Sequence, residues 1–202
     1  MVIKKLVLGS LQTNCYFVIE NNKCLVIDCA CDAEKILDFA KSLNVKIEGV
    51  LLTHGHYDHC SGAKELQRQG VKIYLSKFDS DVVENKNKFY FLSDENKFKT
   101  DVFVNNNDEL NLIGLKIKVV ETSGHTKGSV SYLIENNLFC GDTIFACGIG
   151  RYDLYSGSFQ DLKNSIKKVL LLPNNTKLFP GHGSETNIEN EIKYLENIVK
   201  LH

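Results

Sequence analysis

Within LLTHGHYDHCSG, residues 51–62, three histidines and an aspartate, His54, His56, Asp58 and His59, fall inside six positions. The chain has six histidines, so half of them occupy one short segment. Neutral imidazole is the commonest metal ligand among side chains, and a carboxylate adds a hard anionic oxygen. His125 in ETSGHTKGS and His182 in LFPGHGSE lie in Gly-punctuated segments at the ends of apolar runs, and Asp142 ends the run LFCGD in the same manner. Each of these three directly follows a glycine, as expected where the backbone must bend sharply to aim a side chain. A lone histidine of this kind is more often structural. The set of seven, all in strand-end segments, points to metal.

Seven ligands exceed the needs of one tetrahedral ion and suit two. A carboxylate has two oxygens, so one of the aspartates can bridge ions about 3.5–4 Å apart that share a hydroxide, a nucleophile available near pH 7. The implied chemistry is attack by a metal-activated hydroxide. Such His-rich, Asp-bridged sites accept zinc, with iron or manganese as alternatives. A thiolate site is not expected, because Cys29 and Cys31 form C-x-C with no second pair at zinc-finger spacing. Cys60, beside the cluster, is read as a small residue packed beneath the loop.

The elements that must hold these residues follow from periodicity. Apolar or alternating runs predict strands at 15–20, 23–30, 49–54, 71–76, 115–121, 129–135, 137–142 and 177–180. Helical spacing appears at 32–44, where Ala33, Ile36, Leu37 and Ala40 share a face, and again at 61–70, 158–172 and 185–201. Early strands are joined by hairpin signals such as Glu20-Asn21-Asn22 and later ones are separated by helices, so the expectation is two mixed sheets with helices outside. The Asn/Lys-rich stretch 84–100 has no clear period and reads as a long surface loop, of the kind that often borders a site.

At 202 residues the chain suits one domain, 1–202. Lys plus Arg number 24 against 25 Asp plus Glu, which leaves no basic surplus for nucleic acid. The first residues carry no sustained apolar core or small-residue cleavage site, and no segment approaches the roughly 18 apolar residues of a membrane span, so neither export nor a membrane partner is expected. Seven cysteines, an odd number, fit a reducing, cytoplasmic setting, with Cys24, Cys29, Cys140 and Cys147 expected in the core.

T-H-x-H-x-D-H at Thr53–His59, followed in order by single His, Asp and His near strand ends, resembles the metallo-β-lactamase superfamily. The resemblance runs from SLQTNCYFVIE to PGHGSETNIE, and GHTKGS, CGDTIF, GIGRYDL and FPGHG look most like glyoxalase II, a thioesterase acting on S-D-lactoylglutathione. It implies an α/β fold, a four-layer αββα sandwich with metals at one edge of the sheets. It also implies one ion on His54, His56 and His125, the other on Asp58, His59 and His182, and Asp142 as the bridge. His54, His56, Asp58 and Asp142 then hold the catalytic positions, and Arg151 falls where these thioesterases place a basic residue for a carboxylate of glutathione. An alternative use of Arg151 is a surface pair with Asp153. Twenty residues follow His182, so the chain resembles the short members that lack the C-terminal helical domain. Related readings on the same fold are a lactone hydrolase and a persulfide dioxygenase, the latter with one iron on the equivalents of His54, His125 and Asp142.

Overall fold

The computed structural model describes residues 1–201, apart from the side chain of residue 87; His202 lies outside the described residues. The first half runs β1 (Val2–Leu8), β2 (Thr13–Glu20), β3 (Lys23–Ile27), α1 (Ala33–Ser42), β4 (Lys46–Leu51), α2 (Tyr57–Cys60), α3 (Ala63–Arg68), β5 (Lys72–Ser76), α4 (Lys77–Asn85) and β6 (Val102–Val104). The second runs β7 (Glu109–Leu112), β8 (Leu115–Glu121), β9 (Val130–Ile134), β10 (Asn137–Gly141), β11 (Ile144–Phe145), β12 (Gly148–Ile149), α5 (Phe159–Val169), β13 (Lys177–Pro180), β14 (Thr186–Asn187) and α6 (Ile188–Lys200).

Each half forms a six-stranded mixed sheet, one in the order β1-β2-β3-β4-β5-β6 and the other in the order β14-β13-β10-β9-β8-β7. The hairpin-linked strands pair antiparallel, whereas β3, β4, β5 and β6 pair parallel and β10 pairs parallel with β13. Strand alternation explains the layers. In β2 and β3, Cys15, Phe17, Cys24 and Val26 face the helix-side core, while Tyr16, Val18, Leu25 and Ile27 face the other sheet. In β10 and β13, Phe139 and Phe179 meet that inter-sheet core and Leu138, Cys140 and Leu178 meet Leu162, Ile166 and Leu195 of α5 and α6. Strands apolar on both faces are therefore covered on both faces, which gives four layers, αββα.

Helix ends follow local capping chemistry: the side chains of Ser76, Ser158 and Asn187 accept from backbone N–H groups in the first turns of α4, α5 and α6. Two sequence expectations need correction. Helix α4 overlaps the start of the stretch read as a loop; it was hidden because half of its buried face, Asp79 and Ser80 beside Val82 and Val83, is polar. The rest of 84–100 is pinned rather than solvated, with two 3-10 turns at Asn87–Phe89 and Asp94–Asn96 and with Tyr90, Leu92 and Phe98 buried. Cys147 is exposed in the β11–β12 turn, where its φ of 56° is left-handed, whereas Cys24, Cys29 and Cys140 are buried. Strands β1, β6, β7, β11, β12 and β14 lie outside the predicted runs.

Candidate metal centre

All seven candidate ligands sit in the segments that follow strands β4, β8, β10 and β13. Past β4, the chain turns through His54 and Gly55 into the one-turn helix α2, with His56 at its N-cap and Asp58 and His59 within it. The second sheet supplies His125 after β8, Asp142 after β10 and His182 after β13. The sheets are joined at this edge. Asn14 N–H donates to Gly181 O at 2.7 Å, the Asn14 and Tyr16 side chains both donate to Pro180 O, and Val130 N–H donates to Thr53 O at 2.9 Å. Gly181 is dictated by packing, because a Cβ there would collide with Asp142 Oδ1 and His59. Gly141, at φ +48°, makes the left-handed turn that aims Asp142.

The side chains converge in two overlapping groups. His56 Nδ1 lies 3.1 Å from His54 Nε2 and 2.9 Å from His125 Nε2. His59 Nε2 lies 3.3 Å from each of His182 Nε2, Asp58 Oδ2 and Asp142 Oδ1. Asp142 touches both groups, since its Oδ2 is 3.6 Å from His125 Nε2 and 3.5 Å from His182 Nε2. In each of the sets His54/His56/His125, His54/His59/Asp142 and Asp58/His59/His182, the ligand atoms lie within 4.8 Å of one another.

Whether these groups suit a cation is decided by where their protons go. The outward nitrogens of His54, His59, His125 and His182 face Thr53 Oγ1 at 3.1 Å, Asp28 Oδ2 at 2.8 Å, Arg151 O at 2.7 Å and Leu11 O at 3.0 Å. Thr53 Oγ1 itself donates to Asp28 Oδ2, so it accepts from His54. Four rings thus direct one nitrogen outward onto a fixed partner, and in the neutral form each would turn a lone pair inward, where the nitrogens have nothing to donate to one another. Asp142 Oδ1 is buried with no hydrogen-bond partner. Inward lone pairs beside an orphaned carboxylate oxygen fit metal ions.

Electrostatics agree. Burial lowers His54 well below the usual imidazole value and His56 to about 3, so both are neutral. For His59 and His182 burial acts in the same direction but is outweighed by the carboxylates, Asp142 and Asp28 first for His59, and His182 is raised to about 10, so without a cation these two rings hold a second, inward proton whose place a metal ion would take. Burial would raise Asp58 and Asp142, yet His59 and His182 hold both well below the carboxylate range. Two ionised aspartates in a buried pocket demand positive charge, which divalent ions supply.

Arg151 lines the cavity over these ligands, but its side chain is exposed and forks onto Asp153 through Nε and a terminal nitrogen, both at 2.9 Å. Sequence reasoning missed Asp28, Thr13, Asp79 and Phe91. Asp28 orients His59 and Thr53, and Thr13 Oγ1 donates to Asp58 Oδ2 at 3.0 Å. Asp28 closes the run LVID much as Asp142 closes LFCGD, a signal that was available.

The sequence pattern of the metallo-beta-lactamase superfamily matches residues 8–182, and the chain belongs to that superfamily. It is 31% identical over 196 residues to a probable metallo-hydrolase, YqgX, of Bacillus subtilis, covering 93% of each chain. A hydroxyacylglutathione hydrolase, GloC, of Haemophilus influenzae is 31% identical over 201 residues with 95% of each covered. Another hydroxyacylglutathione hydrolase, from Shewanella halifaxensis, is 34% identical over 154 residues, 75% of this chain and 54% of that one. Among solved structures, BLEG-1 B3 metallo-beta-lactamase superposes with a TM-score of 0.88 at 30% identity, covering 98% of this chain and 99% of that one. TTHA1623 in a di-iron-bound form gives 0.80 at 29% identity, with 94% and 97% covered. The chain is a metallo-hydrolase of this superfamily with a His-rich candidate metal site.

Proposed function

We propose that this protein hydrolyses small acyl thioesters, S-D-lactoylglutathione or a related compound, at a two-metal centre, as a single domain in the cytoplasm. One observation carries the reading: six inward ligands fall into two groups of three, and Asp142 reaches both with its two oxygens. A single-iron centre would leave Asp58, His59 and His182 gathered without a purpose. In this reading His54, His56 and His125 hold one ion, Asp58, His59 and His182 hold the other, and Asp142 lies between. Zinc suits these donors, with iron or manganese as alternatives, and such ions would polarise the thioester carbonyl and make water nucleophilic near neutral pH.

The chain's own residues do the positioning. Asp28 fixes the His59 ring, Thr13 fixes Asp58, and the Arg151 carbonyl fixes His125. A thiol with a pKa of about 8.5 departs as thiolate without a strong general acid, so no dedicated acid is needed. Arg151, at the cavity rim, takes a carboxylate of the thiol arm after releasing Asp153; exposed pairs of this kind contribute little and open readily. The full-length match to a hydroxyacylglutathione hydrolase supports the thioester class, and the di-iron form of TTHA1623 supports a dinuclear centre. Free cysteines, with no disulfide among the described residues, support a reducing compartment, and no helix among them is long and apolar enough to cross a membrane.

Metal analysis of the purified protein, paired with thioester assays on zinc-loaded and ferrous forms, tests this. Two ions per chain and thioester cleavage are expected. Oxygen uptake with glutathione persulfide, and no thioester cleavage by either form, would overturn it.

A further inference from the structure

Above the ligand atoms lies a cavity of about 470 Å³, within the range of small-molecule sites. Apart from the candidate ligands, Arg151 and Tyr57, every described side chain lining it is hydrocarbon: Leu11, Phe91, Phe145, Ile149 and Leu154. This wall borders both ligand groups. The Leu11 carbonyl holds His182, the Phe145 ring centre is 6.1 Å from that of His182, and Tyr90, next to Phe91, packs its ring edge-on to His56 at 4.9 Å.

Phe91 carries two unfavourable features at once. Its φ is +60°, a left-handed conformation that side-chain-bearing residues avoid, and the residue is 61% exposed to water. The flanking anchors impose this. Tyr90 is fully buried, donates its hydroxyl to Asp79 Oδ1 at 2.8 Å and accepts at its carbonyl from Tyr57 N–H, and Leu92 is buried on the other side. Held between these anchors, Phe91 lines the cavity. Leu11, on the turn between β1 and β2, is likewise half exposed there. Such strain persists where the surrounding structure imposes it and clusters at ligand sites, and an exposed apolar patch beside it marks a binding surface.

We infer that, among the acyl groups this site takes, it favours an apolar chain longer than acetyl over the hydroxylated lactoyl group, and that Phe91 determines this specificity. The inference rests on the thioesterase reading above and deepens it: Arg151 serves the thiol arm, which leaves the hydrocarbon wall to the acyl arm.

The test holds the thiol constant and compares S-acetyl-, S-butanoyl-, S-hexanoyl- and S-D-lactoylglutathione on the metal-loaded protein. A buried methylene contributes roughly a two- to fourfold factor, so kcat/KM should rise at least about tenfold from acetyl to hexanoyl. In Phe91→Ala the hexanoyl-to-acetyl ratio should fall below about threefold, and Leu11→Ala should reduce it in part. Lactoyl equalling or exceeding butanoyl, or a ratio unchanged in both variants, would overturn the inference. So would a chain-length dependence confined to acetyl thioesters of ethane-, butane- and hexanethiol, which would place the wall against the thiol. If no thioester is cleaved at all, the thioesterase reading fails by itself and binding decides the rest. Calorimetry should then show hexanoate held at least about tenfold more tightly than acetate, with the preference lost in Phe91→Ala; equal binding of the two acids overturns the apolar assignment.

Discussion

Asp79 offers the sharpest test of how the fold holds its ligand loops. The side chain is fully buried in the first turn of α4 and accepts four hydrogen bonds. Gly55 N–H at 2.9 Å and Thr126 Oγ1 at 2.8 Å bond to Oδ2, and Tyr90 OH at 2.8 Å and Gly128 N–H at 3.1 Å bond to Oδ1. Gly55 lies between His54 and His56, and Thr126 follows His125, so one carboxylate ties together both loops of the first ligand group. In Asp79→Asn one oxygen becomes an NH2 group. Whichever oxygen is replaced, one hydroxyl and one backbone amide then face it; the hydroxyl can rotate to accept, but the amide cannot. An unsatisfied buried N–H costs about 1–3 kcal/mol, and the surviving bonds lose their charge assistance. Removing a charge that burial disfavours offsets part of this.

A net loss of about 2 kcal/mol follows, or a Tm lower by about 4–8 °C for a chain of this size. Displaced outer partners typically weaken metal binding about 10–100-fold, measurable by chelator competition. The pH dependence has a definite sign. Burial raises the folded pKa of Asp79 above the ordinary 3.8, so its titration contributes stability that is fully present below the unfolded value and is lost as pH rises through the folded one. The difference between wild type and Asp79→Asn is thus largest in acid, shrinks across that window and is flat above it. Thermal melts across pH check this. An unchanged Tm, or a lower Tm with chelator resistance intact, would refute the idea that Asp79 supports the ligand loops.

Three further outcomes are expected. Asp142→Ala should lower bound metal below two ions per chain, by elemental analysis, and abolish hydrolysis with the far-UV spectrum retained, because the carboxylate between the two ligand groups is gone. Arg151→Ala should raise KM for S-lactoylglutathione more than it lowers kcat, since a charge contact remote from the carbonyl is mostly uniform binding; an unchanged KM would leave the arginine to Asp153. Phe91→Gly should raise Tm by about 2–4 °C through relief of about 1 kcal/mol of left-handed strain, while reducing the preference for long acyl chains.

The candidate ligands were legible as a set because a strand end is a sequence-level event. An apolar run stops, a glycine bends the chain, and a histidine or aspartate follows, as at Gly124-His125, Gly141-Asp142 and Gly181-His182. The runs themselves were legible because the central strands are covered on both faces and so read as continuous apolar segments. Strands β1 and β7 were not, since their burial is broken by exposed lysines, asparagines and glutamates and their order comes from pairing with β2 and β8. Asp79 lies in KFDSDVVEN among other acids, and nothing local distinguishes the one that is buried from Asp81, which pairs with Lys77 at the surface. Its burial is a tertiary fact, made by Tyr90 and Gly128 arriving from elsewhere.

That difference bears on how the site works. The candidate ligands come from both halves of the chain, so their mutual distances depend on the bonds that cross between the halves: Asn14 to Gly181, Val130 to Thr53, Gly128 to Asp79. Each crossing bond is made by backbone N–H or by a fully buried side chain, groups that have no rotamer freedom or have already lost it to packing. The candidate ligand atoms are therefore fixed by the fold, and metal binding would not have to order them. The wall of Leu11 and Phe91 is built in the opposite way, from exposed side chains on turns. A rigid centre beneath an adaptable apolar rim keeps the reacting atoms in place while substrate preference is set by residues that can change without disturbing them.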